Sequence, residues 1–99
     1  MKIIWSPLAI ARVRQETRYI ARDRPGAAAK WAEGIFKSVG HLVDFPQSGR
    51  VLPELGRSDV REITYRNHRL IYRIEGESIL ILTVRHWRRL LDLSELGPQ

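Results

Sequence analysis

His86 is the residue best suited by type to move a proton near neutral pH, and it stands in the run Arg85-His86-Trp87-Arg88-Arg89. Three guanidinium groups around one imidazole could hold a phosphate, and the indole of Trp87 could stack on a base or a cation. The alternative is structural: a solvated basic end to a strand, with His86 capping the sheet edge through backbone contacts. Arg69 and Arg73 form a second candidate, since both project from one face of a strand and could meet phosphates or a partner's carboxylates. Cross-strand pairing with Glu62 or Glu75 would instead use that charge internally. His41 and His68 have no cysteine or second histidine at ligand spacing, so neither a metal site nor a cofactor is expected.

The elements that must position these groups can be read from periodicity. Lys2 to Trp5 suits a short strand. In Ser6-Pro7 the serine is an N-cap and the proline opens a helix that stops at Arg24-Pro25-Gly26. Ile10, Val13, Thr17 and Ile20 recur on its apolar side, and arginines cover the other. A second helix runs from about Ala27 to Val43, with Ala28, Trp31, Ile35, Val39 and Leu42 as one stripe widened by Ala32 and Phe36. A connection this short makes the two helices an antiparallel hairpin. Phe45-Pro46 ends the second helix, because proline pushes the residue before it out of the helical region.

From Val60 the period becomes two. VREITY, HRLIYRIEG and SILILTV are separated by Arg66-Asn67 and by a Glu75-Gly76-Glu77 turn, which predicts a three-stranded antiparallel meander. Leu70, Tyr72 and Ile74 share one face of its middle strand; Arg69, Ile71 and Arg73 share the other. The expected fold is therefore α+β over residues 1–99 as a single domain. An N-terminal strand, the helix hairpin and the meander follow in order, with both helices on one face of the sheet and nothing in the chain covering the opposite face. Leu90, Leu91, Leu93 and Leu96 suggest a short terminal helix or a tail packed on the sheet. Gly40 is expected to allow close packing or to mark fraying of the second helix.

Seventeen basic residues, fourteen of them arginine, stand against eleven acidic ones, for a net charge of +6. An acidic partner follows from that balance: nucleic acid, an acidic protein segment, or each in turn. No cysteine is present, which excludes disulfides and a thiol nucleophile. No run nears the ~20 apolar residues of a membrane span and no signal peptide opens the chain, so the expectation is a cytoplasmic protein with no membrane contact.

Four phrases, FPQSGRVLPEL, VREI, HRLIYRI and ILTVRHWRRLL, occur in an order and at separations that resemble the RelE/ParE superfamily of toxins from type II toxin-antitoxin pairs. The resemblance runs from the first strand to about Leu91. It implies a small bacterial toxin in a heteromeric complex, neutralised by a cognate antitoxin with an acidic C-terminal segment, and it carries associations with plasmid stabilisation and growth arrest. Two activities occur in the superfamily. The RelE-like branch cuts mRNA on the ribosome without a metal, and the ParE-like branch inhibits DNA gyrase. Of the RelE-like cationic residues only Arg69 is matched: Val60 and Glu62 stand where cations would be needed, and no tyrosine follows Tyr72. A YoeB-like nuclease could be cast from Glu54 or Glu62 with Arg69 and His86. The Pro53-Glu54-Leu55-Gly56 loop and the His86-to-Arg89 ending resemble the ParE branch more closely. A docking toxin would bind its target through Arg85, His86, Trp87, Arg88 and Arg89; on either branch the antitoxin segment is expected to lie on the uncovered sheet face and the hairpin groove, with Arg61, Arg69 and Arg73 among its contacts.

Overall fold

The computed structural model describes residues 1–97. In chain order it contains β1 (Lys2–Trp5), α1 (Pro7–Ala21), α2 (Pro25–Asp44), β2 (Arg50–Val51), β3 (Val60–Tyr65), β4 (His68–Glu75), β5 (Ser78–His86) and a short 3₁₀ turn (Leu93–Leu96). One mixed sheet has the order β1-β5-β4-β3-β2, with β1 parallel to β5 and the other neighbours antiparallel. The α+β architecture and the meander agree with the sequence. The two-residue β2 is an addition too short for periodicity to reveal.

Ser6 caps α1 as expected, its Oγ accepting the N–H of Ala9 at 3.0 Å. The same hydroxyl donates to the carbonyl of Leu82 at 2.9 Å, so the cap also fastens the start of α1 to the sheet. Pro25 and Gly26 belong to the first turn of α2, which starts two residues earlier than the sequence suggests. Proline at that position costs nothing, because its missing N–H would have no partner there anyway. The helix stripe of α2 is buried as read: Ala28, Trp31, Ile35, Val39 and Leu42. In α1 the buried positions are Ala9, Val13 and Glu16, one residue out of phase with the expected row.

These two stripes meet Leu70, Tyr72, Ile79, Ile81 and Val84 to form the main core. The opposite face of the sheet is not bare, contrary to expectation. Leu52 from the loop after β2 and Leu96 from the 3₁₀ turn close over Val60, Ile71 and Leu82, and Leu55, Leu80 and Leu91 flank them. Isolated leucines in loops carry no period, which is why this second cluster is hard to foresee. Within α2, Gly34 rather than Gly40 permits close approach: a Cβ there would overlap the phenol of Tyr65, whereas Gly40 has open space around it.

The register of β4 against β5 shifts between Ile71 and Tyr72, which face Thr83 and Ile81. Leu82 is the extra residue of a β-bulge. Side chains alternate with a period of two, so an unbulged strand would carry His86 to the far face. With the bulge, Val84 stays in the helix-side core and His86 stands opposite His68.

Candidate functional site

The bulge decides which candidates can meet. Arg69 lies opposite Arg85, and His68 opposite His86, so Arg69 and His86 occupy opposite faces of the sheet. The set of Glu54, Arg69 and His86 therefore does not assemble as one constellation. Glu54 and Arg69 do meet, at 2.9 and 3.0 Å in a bidentate pair, and Arg69 Nε also donates to Glu62 at 2.6 Å. Glu62 is buried and takes Arg50 on its other oxygen at 2.5 Å. Hydrogen bonding from Arg69 holds the Glu54 carboxyl below its usual range, and Glu54 in turn strengthens the charge of Arg69. This is a closed network, and the cross-strand alternative describes it. Arg73 pairs with Glu75 at 3.0 Å, and Arg61 donates to the carbonyls of Ser58 and Gly49, both at 3.0 Å.

The five residues of the basic end are treated differently by the fold. Arg85 turns to the second face, where it meets Glu95 at 3.1 Å and the carbonyl of Leu90 at 3.1 Å. Glu95 also takes Arg12 at 3.3 Å and the Thr83 hydroxyl at 2.9 Å, so it ties the 3₁₀ turn to α1 and β5. His86 accepts the N–H of Arg88 at Nδ1, a contact of 3.2 Å that bends the chain back after the strand. Trp87 stacks on His86 with centroids 6.1 Å apart, and Arg88 lies 5.1 Å over the indole. Trp87, Arg88 and Arg89 are exposed, and Arg89 reaches the Glu16 carboxylate at only 4.0 Å, so Arg85 is the arginine of this run most tightly committed to internal pairing.

A cleft of about 340 Å³ opens where the helix hairpin meets the β3–β4 turn. His86 and His68 stand on its sheet side, Glu16 and Tyr19 come from α1, and Arg24 and Arg66 stand at the two turns. His68 Nε2 lies 3.1 Å from the Glu16 carboxylate, and its ring meets Trp31 edge-on at 4.9 Å and His86 at 5.2 Å. Burial lowers the pKa of His68, against the opposing pull of Glu16. A neutral ring that donates from Nε2 leaves Nδ1 as a bare acceptor. That nitrogen and the Trp31 indole N–H are both buried without a hydrogen-bond partner. Sequence reasoning overlooked Glu16, Tyr19, Arg24 and Arg66. The available signal was Glu16 itself, a carboxylate in the row Ala9-Val13-Glu16-Ile20 on a helix otherwise buried by that side.

No helix among the described residues is long and apolar enough to cross a membrane. No curated protein matches the sequence. Among solved structures, the chromosomal ParDE toxin-antitoxin system from P. aeruginosa superposes with a TM-score of 0.74 at 22% identity, covering 87% of this chain and 95% of that one. A YoeB/ParE toxin from Agrobacterium tumefaciens gives 0.59 at 16% identity, over 87% of this chain and 98% of that one. The RelBE2 toxin-antitoxin complex from Mycobacterium tuberculosis gives 0.53 at 18%, over 86% and 95%. At these identities the likeness is one of fold. Family membership rests on the sequence model of the ParE toxin of the type II toxin-antitoxin system parDE, which matches residues 3–91. With that match over nearly the whole described chain, the protein belongs to the ParE toxin family of type II toxin-antitoxin systems.

Proposed function

We propose that this toxin acts by docking on DNA gyrase and trapping its cleaved-DNA complex, and that an antitoxin with an acidic C-terminal segment restrains it. The observation that carries the reading is the division of Arg69 from His86 by the sheet. Metal-free RNA cleavage needs its base, its cations and its acid around one phosphate. Here the arginine is locked between two glutamates and the histidine faces the helices. Trp87, Arg88 and Arg89 remain exposed for a macromolecular target.

Antitoxin carboxylates fit Arg73 on the second face, and they reach Arg69 there by displacing Glu54, whose side chain is 34% exposed while that of Glu62 is 2% exposed; Arg61, opposite Tyr72, lies on the helix-side face and would need a segment that wraps the sheet edge. Such a complex should weaken as salt rises. An Arg69→Glu, Arg73→Glu double variant that still folds and binds antitoxin at full strength would remove this placement.

The deciding experiment pairs gyrase supercoiling with cleaved-DNA detection, and mRNA cleavage on programmed ribosomes. Gyrase-dependent linear DNA with intact mRNA is expected. An Arg88→Glu, Arg89→Glu variant should lose about tenfold or more of that potency, spread over both residues. Codon-positioned mRNA cuts with untouched gyrase would overturn the reading in favour of the ribosome and mRNA as targets.

A further inference from the structure

The cleft between the hairpin and the β3–β4 turn is unused by a docking mechanism centred on Trp87, Arg88 and Arg89, and its chemistry is specific. We infer that it is a binding site for one unpaired nucleotide of a single-stranded nucleic acid, with the base on Tyr19 and the phosphate between Arg24 and Arg66. This goes beyond the gyrase reading, because it requires direct contact between toxin and strand.

Size is the first argument. A volume of about 340 Å³ lies near the lower end of the ~300–1,000 Å³ typical of ligand pockets, so it suits one nucleotide-sized group better than a peptide helix or strand. Charge is the second. Arg24 and Arg66 are exposed and stand on turns. The one carboxylate of the cleft, Glu16, is occupied by His68 at 3.1 Å and has Arg89 at 4.0 Å, so it offers little repulsion to a phosphate. Aromatic surface is the third. Tyr19 is 66% exposed at the cleft, and the rings of His68, His86 and Trp87 continue from its floor to the surface, ending under Arg88. Aromatic rings interleaved with guanidinium groups are how proteins hold unstacked bases. A carboxylate-rich peptide could use the arginines but would leave this ring surface unsatisfied.

Two further features point inward. Asn67 lines the cleft with an amide that can read a base edge. Arg66 beside it is held at φ 52°, the left-handed conformation that the two-residue β3–β4 hairpin demands of its first turn residue and that an arginine rarely adopts. The fold thus keeps a strained cation at the mouth of the cleft where glycine would be easier.

That strain supplies a clean variant, since Arg66→Gly removes the cation and relaxes the backbone. The test measures fluorescence anisotropy of the full chain with labelled hexamers of deoxythymidine and deoxyadenosine, and with a blunt duplex, at about 50 mM salt. Single strands should bind more tightly than the duplex. The Arg24→Ala, Arg66→Gly pair should lose about tenfold in affinity and flatten the logarithmic salt dependence by roughly 1.4, about 0.7 for each phosphate contact. Arg14→Ala, Lys37→Ala makes the same charge change on exposed positions outside the cleft and should lose only about twofold. The proposal is overturned if the hexamers do not bind, if both double variants lose equally, if the duplex binds as well, or if a polyglutamate hexapeptide binds more tightly. None of these readouts involves gyrase, so failure here leaves the docking mechanism standing, and failure of that mechanism leaves this one testable.

Discussion

The two faces of the sheet bury comparable side chains under different covers. On the helix side, two amphipathic helices lay continuous stripes over Leu70, Tyr72 and Val84, and the His68–Glu16 pair is a polar intrusion at one end. On the second side, a loop and a 3₁₀ turn close a small leucine cluster, and ion pairs centred on Glu62 and Glu95 hold its edges. Regular elements bring their own backbone hydrogen bonds to the interface, whereas loops need side chains to pin them. The difference explains where the arginines went. Those that meet Glu62 and Glu95 hold the fold together, whereas Arg24, Arg66 and Arg88, at the cleft and the basic end, stay exposed.

The largest expected effect tests that contrast in packing. Ile35 and Leu52 are both fully buried, one on each face. Ile35→Ala should fall toward the top of the ~2–5 kcal/mol range for such truncations, because two helices and a sheet cannot collapse into the gap. Leu52→Ala should fall toward the bottom, because its loop can settle. Denaturant midpoints at unchanged slope would give the two values, and equal losses would erase the distinction between the faces.

Next is Arg69→Met, which leaves the buried Glu62 with Arg50 alone and should cost about 2–3 kcal/mol near pH 7. Its pH dependence sharpens the comparison. The Arg69 guanidinium holds the folded pKa of Glu54 below its ordinary value near 4.5, so the pairing contributes stability above about that pH, and the contribution is lost as pH falls through the lower folded value. The variant should lack this decline. A wild-type curve that is flat across the acid range would show the network to be neutral.

The smallest effect belongs to the helix side. His68 has a folded pKa below 6.5, so the unfolded chain takes up its proton first. Stability should therefore be highest above about pH 6.5 and decline as pH falls from there through the folded value. His68→Asn should flatten that window in chemical denaturation. A rise in wild-type stability on acidification would mean that Glu16 outweighs burial.

Much of this molecule was legible in its sequence, and the omissions share a cause. The stripe of α2, the Ser6 cap and the meander are local patterns, and local patterns survive in a sequence. The phase of α1 was missed because Glu16 is buried by a partner 52 positions away, and periodicity scores a carboxylate as solvent-facing. The bulge left no trace because Ile79 to Val84 is almost uniformly apolar, with no alternation from which a slip could be noticed. The basic end was found by composition, but its division between two faces follows from that slip. The cleft draws one or two residues from each of several elements, and no spacing rule connects them.

At the bulge, Leu82 and Thr83 together oppose Ile71, so one place in the ladder carries two consecutive side chains toward the second face. A straight strand offers each face every other residue and must choose there between greasing a cluster and binding a carboxylate. This chain does both, with Leu82 filling the space under Leu52 and Leu96 and the Thr83 hydroxyl gripping Glu95. The added residue also lends its carbonyl to Ser6. Deleting Leu82 would keep His86 and Arg85 on their present sides and yet loosen three attachments at once, so a single length change would unfasten the tail, the cluster and the first helix while leaving every partner-facing side chain in place.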